Sequence, residues 1–237
     1  MARIKFSSIG ITNIVGKAGG SVYSTNKGGA YFKNFVKPSN PKTMAQQSVR
    51  AIFGAIAAAW RLLDDSQRKS WEGASLNFPY KDVFGDSKQL SGAGLHQKLN
   101  GNLSAANLSL ISDAPPVEGV SSVLDVTNNE YDLATNDWLL QLPLNAEMPV
   151  AGGFIVEATA KVSNGISNYS GRYRSIFTGA LTASATQISP TPADLGQAYK
   201  AQFGEPTLGA NIGVRVRVVN KNGETSPWFY TRMGIKA

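Results

Sequence analysis

Few groups in this 237-residue chain have the types and spacing that chemistry needs. Gly10 to Lys17 comes near a phosphate-binding loop, whose backbone amides cradle phosphates while a lysine reaches the terminal one. Five residues separate Gly10 from Gly16, where the loop requires four, and Ala18 stands where Ser or Thr must hold magnesium. Gly92-Ala93-Gly94 lacks the third glycine of a dinucleotide loop. His96 is the single imidazole; with Gln97 and Lys98 beside it and no carboxylate nearby, it reads as a packing or surface residue rather than a general base. Asp64-Asp65, the tightest acid pair, reads as a helix cap. Asp125, Asp132 and Asp137 could line one end of a β-sandwich and bind calcium, but they lack the DxDxDG loop, which favours solvated carboxylates. Trp138, Trp228 and Tyr230 could stack on a sugar, and core packing explains them equally well. The absence of Cys excludes disulfides, thiolate metal sites and a Cys nucleophile. The sequence therefore predicts no catalytic residue, no cofactor and no metal, and the chain is not expected to be an enzyme.

Charge is the stronger signal. Residues 1–63 carry nine basic side chains, among them Lys17, Lys27, Lys33 and Lys37, and no acid before Asp64. Residues 64–112 hold five of each sign, and residues 113–237 hold nine basic and eleven acidic. An acid-free stretch of this length points to an acidic counterpart: a partner protein, a nucleic acid or an anionic surface. The alternative is a solvated basic face. No apolar run approaches the roughly 20 residues of a membrane span; the longest, Ala51 to Trp60, is broken by Gly54. No signal peptide is evident, so the expectation is a soluble, cytoplasmically made protein without a membrane partner.

The elements fall into three segments, an α+β multi-part chain. Residues 1–42 read as an extended basic arm. Gly19-Gly20 and Gly28-Gly29 bound short alternating runs, with Thr25–Gly29 as a hairpin turn. Tyr31, Lys33 and Phe35 fall on one face and Phe32, Asn34 and Val36 on the other. A lone hairpin is marginal in water, so Lys17, Tyr23, Lys27, Tyr31, Phe32, Lys33, Phe35 and Lys37 are the predicted partner-binding residues. Pro38 and Pro41 make the following strap extended. Residues 43–112 read as a helical unit. Thr43 and Gln46 have capping-box spacing. Val49, Ile52, Phe53, Ile56, Trp60 and Leu63 form a helical stripe, expected as core together with Trp71 of a second helix, Ser66 to Ala74. A third helix is expected from Ser91 to about Leu110, with Leu95, Leu99 and Leu103 on one face. Asp113-Ala114-Pro115-Pro116 reads as a linker that keeps the helical core separate from the C-terminal region.

Residues 113–237 read as all-β, with strands at Ser122–Thr127, Asp137–Leu142, Gly153–Val162, Arg172–Thr178, Ile212–Asn220 and Trp228–Ile235. Val214, Val216 and Val218 face the core, and Arg215 and Arg217 face out. The run Val214 to Asn220, followed by Gly223-Glu224-Thr225-Ser226-Pro227-Trp228, resembles the last hairpin of fibronectin type III domains. That resemblance implies an Ig/fibronectin-III-like sandwich serving as an adhesion or spacer module.

A second resemblance covers residues 1–110. It rests on Gly16-Lys17-Ala18-Gly19-Gly20-Ser21-Val22-Tyr23-Ser24, Asn26-Lys27-Gly28-Gly29-Ala30-Tyr31, Pro38, Asn40-Pro41-Lys42-Thr43, Ala45-Gln46-Gln47, Arg50, Phe53, Trp60, Leu63, Gln67-Arg68, Trp71, Leu90-Ser91-Gly92 and Leu99-Asn100. In order and spacing these are similar to an uncharacterised family of tailed-phage and prophage virion proteins common in phages of Bacteroidota, crAss-like phages included. The resemblance implies a virion structural protein: a capsid auxiliary, head-fibre or head–tail component made in the host cytoplasm. Its partners would be capsid, portal or connector subunits, with homo-oligomerisation in the particle and non-specific DNA contact as further expectations. The alternatives are a nucleic-acid-binding protein using the arm, against which the lysines are dispersed rather than clustered, and a glycan-binding adhesin using the sandwich loops.

Overall fold

The structure is a computed structural model and describes residues 2–4, 14–26, 29–37, 39–82, 84–163, 165, 166 and 168–236. In chain order, the first elements are four short strands, β1 (Ala2–Ile4), β2 (Gly16–Ala18), β3 (Ser21–Asn26) and β4 (Gly29–Asn34), in an antiparallel sheet of order β1-β4-β3-β2. β3 and β4 pair from Ser21↔Asn34 to Asn26↔Gly29, so the expected hairpin forms. Its two connecting positions, Lys27 and Gly28, lie outside the described residues, as does Pro38. No described residue from Ile14 to Lys42 is buried.

Helix α1 (Met44–Leu62) starts where the sequence places it: the Thr43 hydroxyl accepts from the Gln46 amide at 3.3 Å. Helix α2 (Asp65–Ala74) is capped by Asp64, whose carboxylate accepts from Gln67 N at 2.7 Å while the Gln67 side chain accepts from Asp64 N at 3.1 Å. This reciprocal pair satisfies two amides that a helix start leaves free. A 3-10 turn (Ser75–Asn77) and a small hairpin, β5 (Tyr80–Lys81) with β6 (Ser87–Lys88), lead to α3 (Gly92–Ala105). α3 ends well before Leu110, because Asn107 turns to φ 57°. Leu95 and Leu99 meet Leu63 and Trp71 in one cluster, with Trp60 half-buried against it.

The remaining elements are β7 (Asn128–Asp132), β8 (Asp137–Pro143), β9 (Gly152–Ala158), β10 (Arg174–Leu181), β11 (Gln187–Ile188), α4 (Pro192–Phe203), β12 (Gly213–Asn220), β13 (Phe229–Arg232) and β14 (Gly234–Lys236). They form two four-stranded sheets, β10-β9-β12-β13 and β11-β8-β7-β14. The final strand crosses between them at the buried Met233, after which β14 runs parallel to β7. Tyr131, Trp138, Leu140 and Leu142 of one sheet and Phe154, Val156, Val214, Val216 and Val218 of the other fill a single core.

Two expectations are corrected here. The 113–237 region is not all-β, because α4 inserts Leu195 and Tyr199 into its core. Gly196 lets that helix approach: a Cβ there would lie 2.0 Å from the Asn136 carbonyl oxygen. The Ser122–Thr127 run makes a single bridge, Val123↔Leu144, and no strand, whereas β7, just after it, was not among the expected strands.

α3 also packs on the outer face of the β10-β9-β12-β13 sheet. Leu103 and Ala106 cluster with Ile155 and Val219, and Asn102 Nδ2 donates to Gly223 O at 2.8 Å. Gly223, at φ 82°, sits so close to α3 that a Cβ would meet Leu99 O at 2.5 Å. The 113–116 segment is held from both sides. The Trp71 indole donates to Ser112 O at 2.8 Å, Gln67 to Asp113 at 2.9 Å, and Asn222 to Pro116 O at 3.2 Å. The helical cluster and the two-sheet core are therefore in contact rather than insulated by a free linker. Across the described residues, no helix is long and apolar enough to cross a membrane.

Candidate functional site

The surface that draws together most of the sequence-predicted site residues is the N-terminal sheet with its continuation into α1. Lys17 pairs with Val22 and Val22 with Lys33, so the three form one cross-strand row. The Lys17 ammonium stands 3.9 Å from the Phe35 ring centroid, a cation–π contact, and the Phe35 amide donates to Gly20 O at 2.7 Å. Tyr31 lies on the same face as Lys33. On the other face Tyr23 and Phe32 stack at 5.9 Å. Lys37 is exposed beyond the end of β4. Lys27 lies outside the described residues. Each face thus joins aromatic and other apolar groups, one of them among lysines, and no described part of the arm offers them a buried core.

The predicted helical core divides. Ile56, Leu63 and Trp71 are buried and Trp60 is half-buried, while Val49, Ile52 and Phe53 are 67%, 39% and 60% exposed. The stripe is real, but no large apolar side chain of α3 lines the groove beside its first half. The side of α3 turned toward it carries Gly94, Gly101, Ser104 and Ala105, too small to reach across, together with the polar Gln97 and Lys98. The leucines of α3 are spent instead on the Leu63–Trp71 cluster and on the outer face of the β10-β9-β12-β13 sheet. Val214, Val216 and Val218 are fully buried, as the alternation requires.

His96 is packed between Trp60 (5.4 Å between ring centroids) and Trp71 (5.1 Å), and its Nδ1 is buried without a hydrogen-bond partner. Burial pushes the imidazole pKa below its ordinary value. That is a packing role, with no carboxylate to orient the ring for proton transfer. Asp132 pairs across from Asp137 at the β7–β8 turn. Its carboxylate accepts from Ala134 N at 2.9 Å and faces the Lys236 ammonium at 3.4 Å.

The second surface is the open part of the β10-β9-β12-β13 sheet, which sequence reasoning identified only in part. The Arg215 guanidinium lies between the rings of Tyr173 (4.5 Å) and Trp228 (4.2 Å), and Arg217 lies on Trp228 at 4.4 Å. Glu157, the cross-strand neighbour of Arg215, accepts from its Nε at 2.7 Å. Tyr169, Tyr173 and Tyr230 follow one another at 6.3 and 6.1 Å and, with Arg232, edge a cleft of about 400 Å³. The alternation of β12 revealed Arg215 and Arg217. Tyr169 comes from an irregular loop; Tyr173, inside the strand expected over Arg172–Thr178, lies in the structure just before β10. Trp138, considered for stacking on a ligand, is fully buried and donates its indole N–H to Asn129 at 2.7 Å, so it is unavailable.

No family model matches the chain, and no curated protein matches it. Among solved structures it is similar to an Fn3-like protein from Clostridium thermocellum, at 16% identity over 53% of this chain and 97% of that one, with a TM-score of 0.28.

Proposed function

We propose that this protein is a virion structural component, a capsid auxiliary, head-fibre or head–tail part. It attaches to an acidic neighbouring subunit through residues 1–63 and displays the 113–237 region, read as an Ig/fibronectin-III-like module. One observation carries the proposal. Ile56 is the first buried residue among those described from Ile14 onward, and the whole stretch to Leu63 has basic side chains and no acid. A chain that lays out Tyr23, Phe32, Phe35, Val49 and Phe53 among uncompensated positive charges, without burying them, is arranged for cover by another molecule. The resemblance of residues 1–110 to phage virion proteins supplies the particle. Homo-oligomerisation and sequence-independent DNA contact through the same lysines belong to this reading.

The test is mass spectrometry of density-banded particles of the phage that encodes the chain, with wild type and a Lys17→Glu, Lys33→Glu, Lys37→Glu variant. The wild type is expected in the particle, with the variant strongly depleted. A chain absent from banded particles, or a variant incorporated as wild type, rejects the reading. A glycan-binding role is favoured by one feature, the tyrosine cleft, where Tyr230 remains 58% exposed. Loss of glycan retention on Tyr230→Ala is its signature.

A further inference from the structure

Between α1 and α3 lies a groove of about 470 Å³. One wall is Val49, Ile52, Phe53 and Ile56 of α1. The floor is formed by the small residues of α3, and Gly101 leaves open space where a Cβ would stand. The groove is almost wholly apolar, and its α1 wall is exposed over its first three side chains. Its charge has one sign. α1 and α3 together carry Arg50, Arg61 and Lys98 and not a single Asp or Glu. Lys98 lines the groove itself, and Arg50 stands one helical turn before Phe53. The Arg50 guanidinium donates to the neutral Asn40 amide oxygen at 3.0 Å, and no ion pair joins it to a carboxylate among the described residues.

Resting on the attachment just proposed, we propose that this groove receives an amphipathic helix of the neighbouring subunit, apolar on the inserted face and Asp/Glu-rich on its flanks. The shape is that of a three-helix packing with one helix missing. Two helices line the seat, with Ile56 buried at its end, and the small residues of α3 let a third backbone approach closely. Charge selects the occupant. The α1 helix of a second copy would bring Arg50 against Lys98 and another Arg50. This chain's own arm would bring lysines. An acidic helix instead finds opposite charge along both edges of an apolar seat.

The probe is a fluorescein-labelled synthetic peptide of about 18 residues, or five helical turns, with Leu on one helical face and Glu elsewhere. Its control carries Lys in place of every Glu. Anisotropy titrations use the full chain. The acidic peptide is expected to bind and the Lys peptide not to. Phe53→Ser, at an exposed position, and Gly101→Leu, which fills the floor with a better helix former, each weaken binding by about tenfold or more. Circular dichroism and melting of the Gly101→Leu chain stay at or above wild type, so lost binding cannot be lost folding. The Lys17→Glu, Lys33→Glu chain keeps wild-type affinity for the peptide. Equal binding of both peptides overturns the proposal, as does no binding of the acidic one. Self-association of the full chain in sedimentation, abolished by Phe53→Ser, makes the groove a homotypic interface and also overturns it. If the arm variant loses the peptide while Gly101→Leu keeps it, the groove proposal falls and the attachment reading stands. If groove variants lose the peptide but arm variants still enter particles, the attachment reading alone falls.

Discussion

His96 and the two indoles around it set the behaviour of the helical cluster at the scale of single residues. Protonating His96 places a charge between Trp60 and Trp71 with Nδ1 unpartnered, so the folded chain favours the neutral ring and its pKa drops below the ordinary value near 6.5. Below that pH the unfolded chain binds the proton more readily than the folded one. Stability is therefore complete above about pH 6.5 and declines as pH falls toward the folded-state pKa. The melting temperature should fall between pH 7 and pH 5, and His96→Phe should flatten that slope; an equal slope in the variant would place the titration elsewhere. Trp71 is the more sensitive neighbour. It is fully buried and its indole N–H is bonded to Ser112 O, whereas Trp60 is half-buried. Urea unfolding should show Trp71→Ala costing about 3–5 kcal/mol, with Trp60→Ala costing less. Reversal of that order would mean that Trp60 holds the cluster together.

At the scale of elements, two helical glycines separate local propensity from tertiary approach. Alanine is favoured over glycine in a helix interior by about 1 kcal/mol. Gly101→Ala should realise that gain, because a Cβ there meets open space. Gly196→Ala should do the opposite, because its Cβ would strike Asn136 O and lift α4 from Tyr131 and Trp138. Thermal melts of the two variants are expected to move in opposite directions, and a stabilised Gly196→Ala chain would show that α4 can slide without loss. The same contrast marks what is legible in the sequence. Thr43 with Gln46 and the Asp64-Asp65 pair announce α1 and α2, since a cap is a contact over three residues. The alternating valines announce β12. α4 has signals too: Pro192 at its first position and Leu195, Tyr199 and Phe203 at helical spacing. The surrounding turn residues outweigh them. The stripe Val49, Ile52, Phe53 is one face, as its spacing says, yet it is not core, because periodicity says which side of a helix is apolar and nothing about what lies against it. The tyrosine cleft depends on distant segments meeting, for which no local pattern exists.

At the scale of the whole molecule, burial rises along the chain while positive charge falls. From Ile14 to Ala55 no described residue is buried; α1–α3 follow, and then the two-sheet core with its fully buried Tyr131, Trp138 and Leu140. Buried core and the proposed attachment surface therefore occupy different ends, and cutting the chain at two places should separate them. Deleting residues 1–42 removes no buried side chain among those described, so the remainder should melt with the full chain and with an unchanged urea dependence, which tracks the area exposed on unfolding. Cutting at residue 113 instead strips Leu103 and Ala106 from Ile155 and Val219 and breaks the Asn102–Gly223 bond. Full burial of an aliphatic side chain stabilises by about 1.5–3 kcal/mol, so uncovering two of them should lower the melting temperature of 113–237 visibly below that of the full chain. Leu103→Ala in the full chain should reproduce part of that loss. If 113–237 melts with the parent while Leu103→Ala destabilises only the helices, α3 leans on the sheet without stabilising it. The arm deletion then supplies the functional half of the comparison: a chain that folds and melts as wild type yet no longer enters particles would assign residues 1–42 to attachment alone.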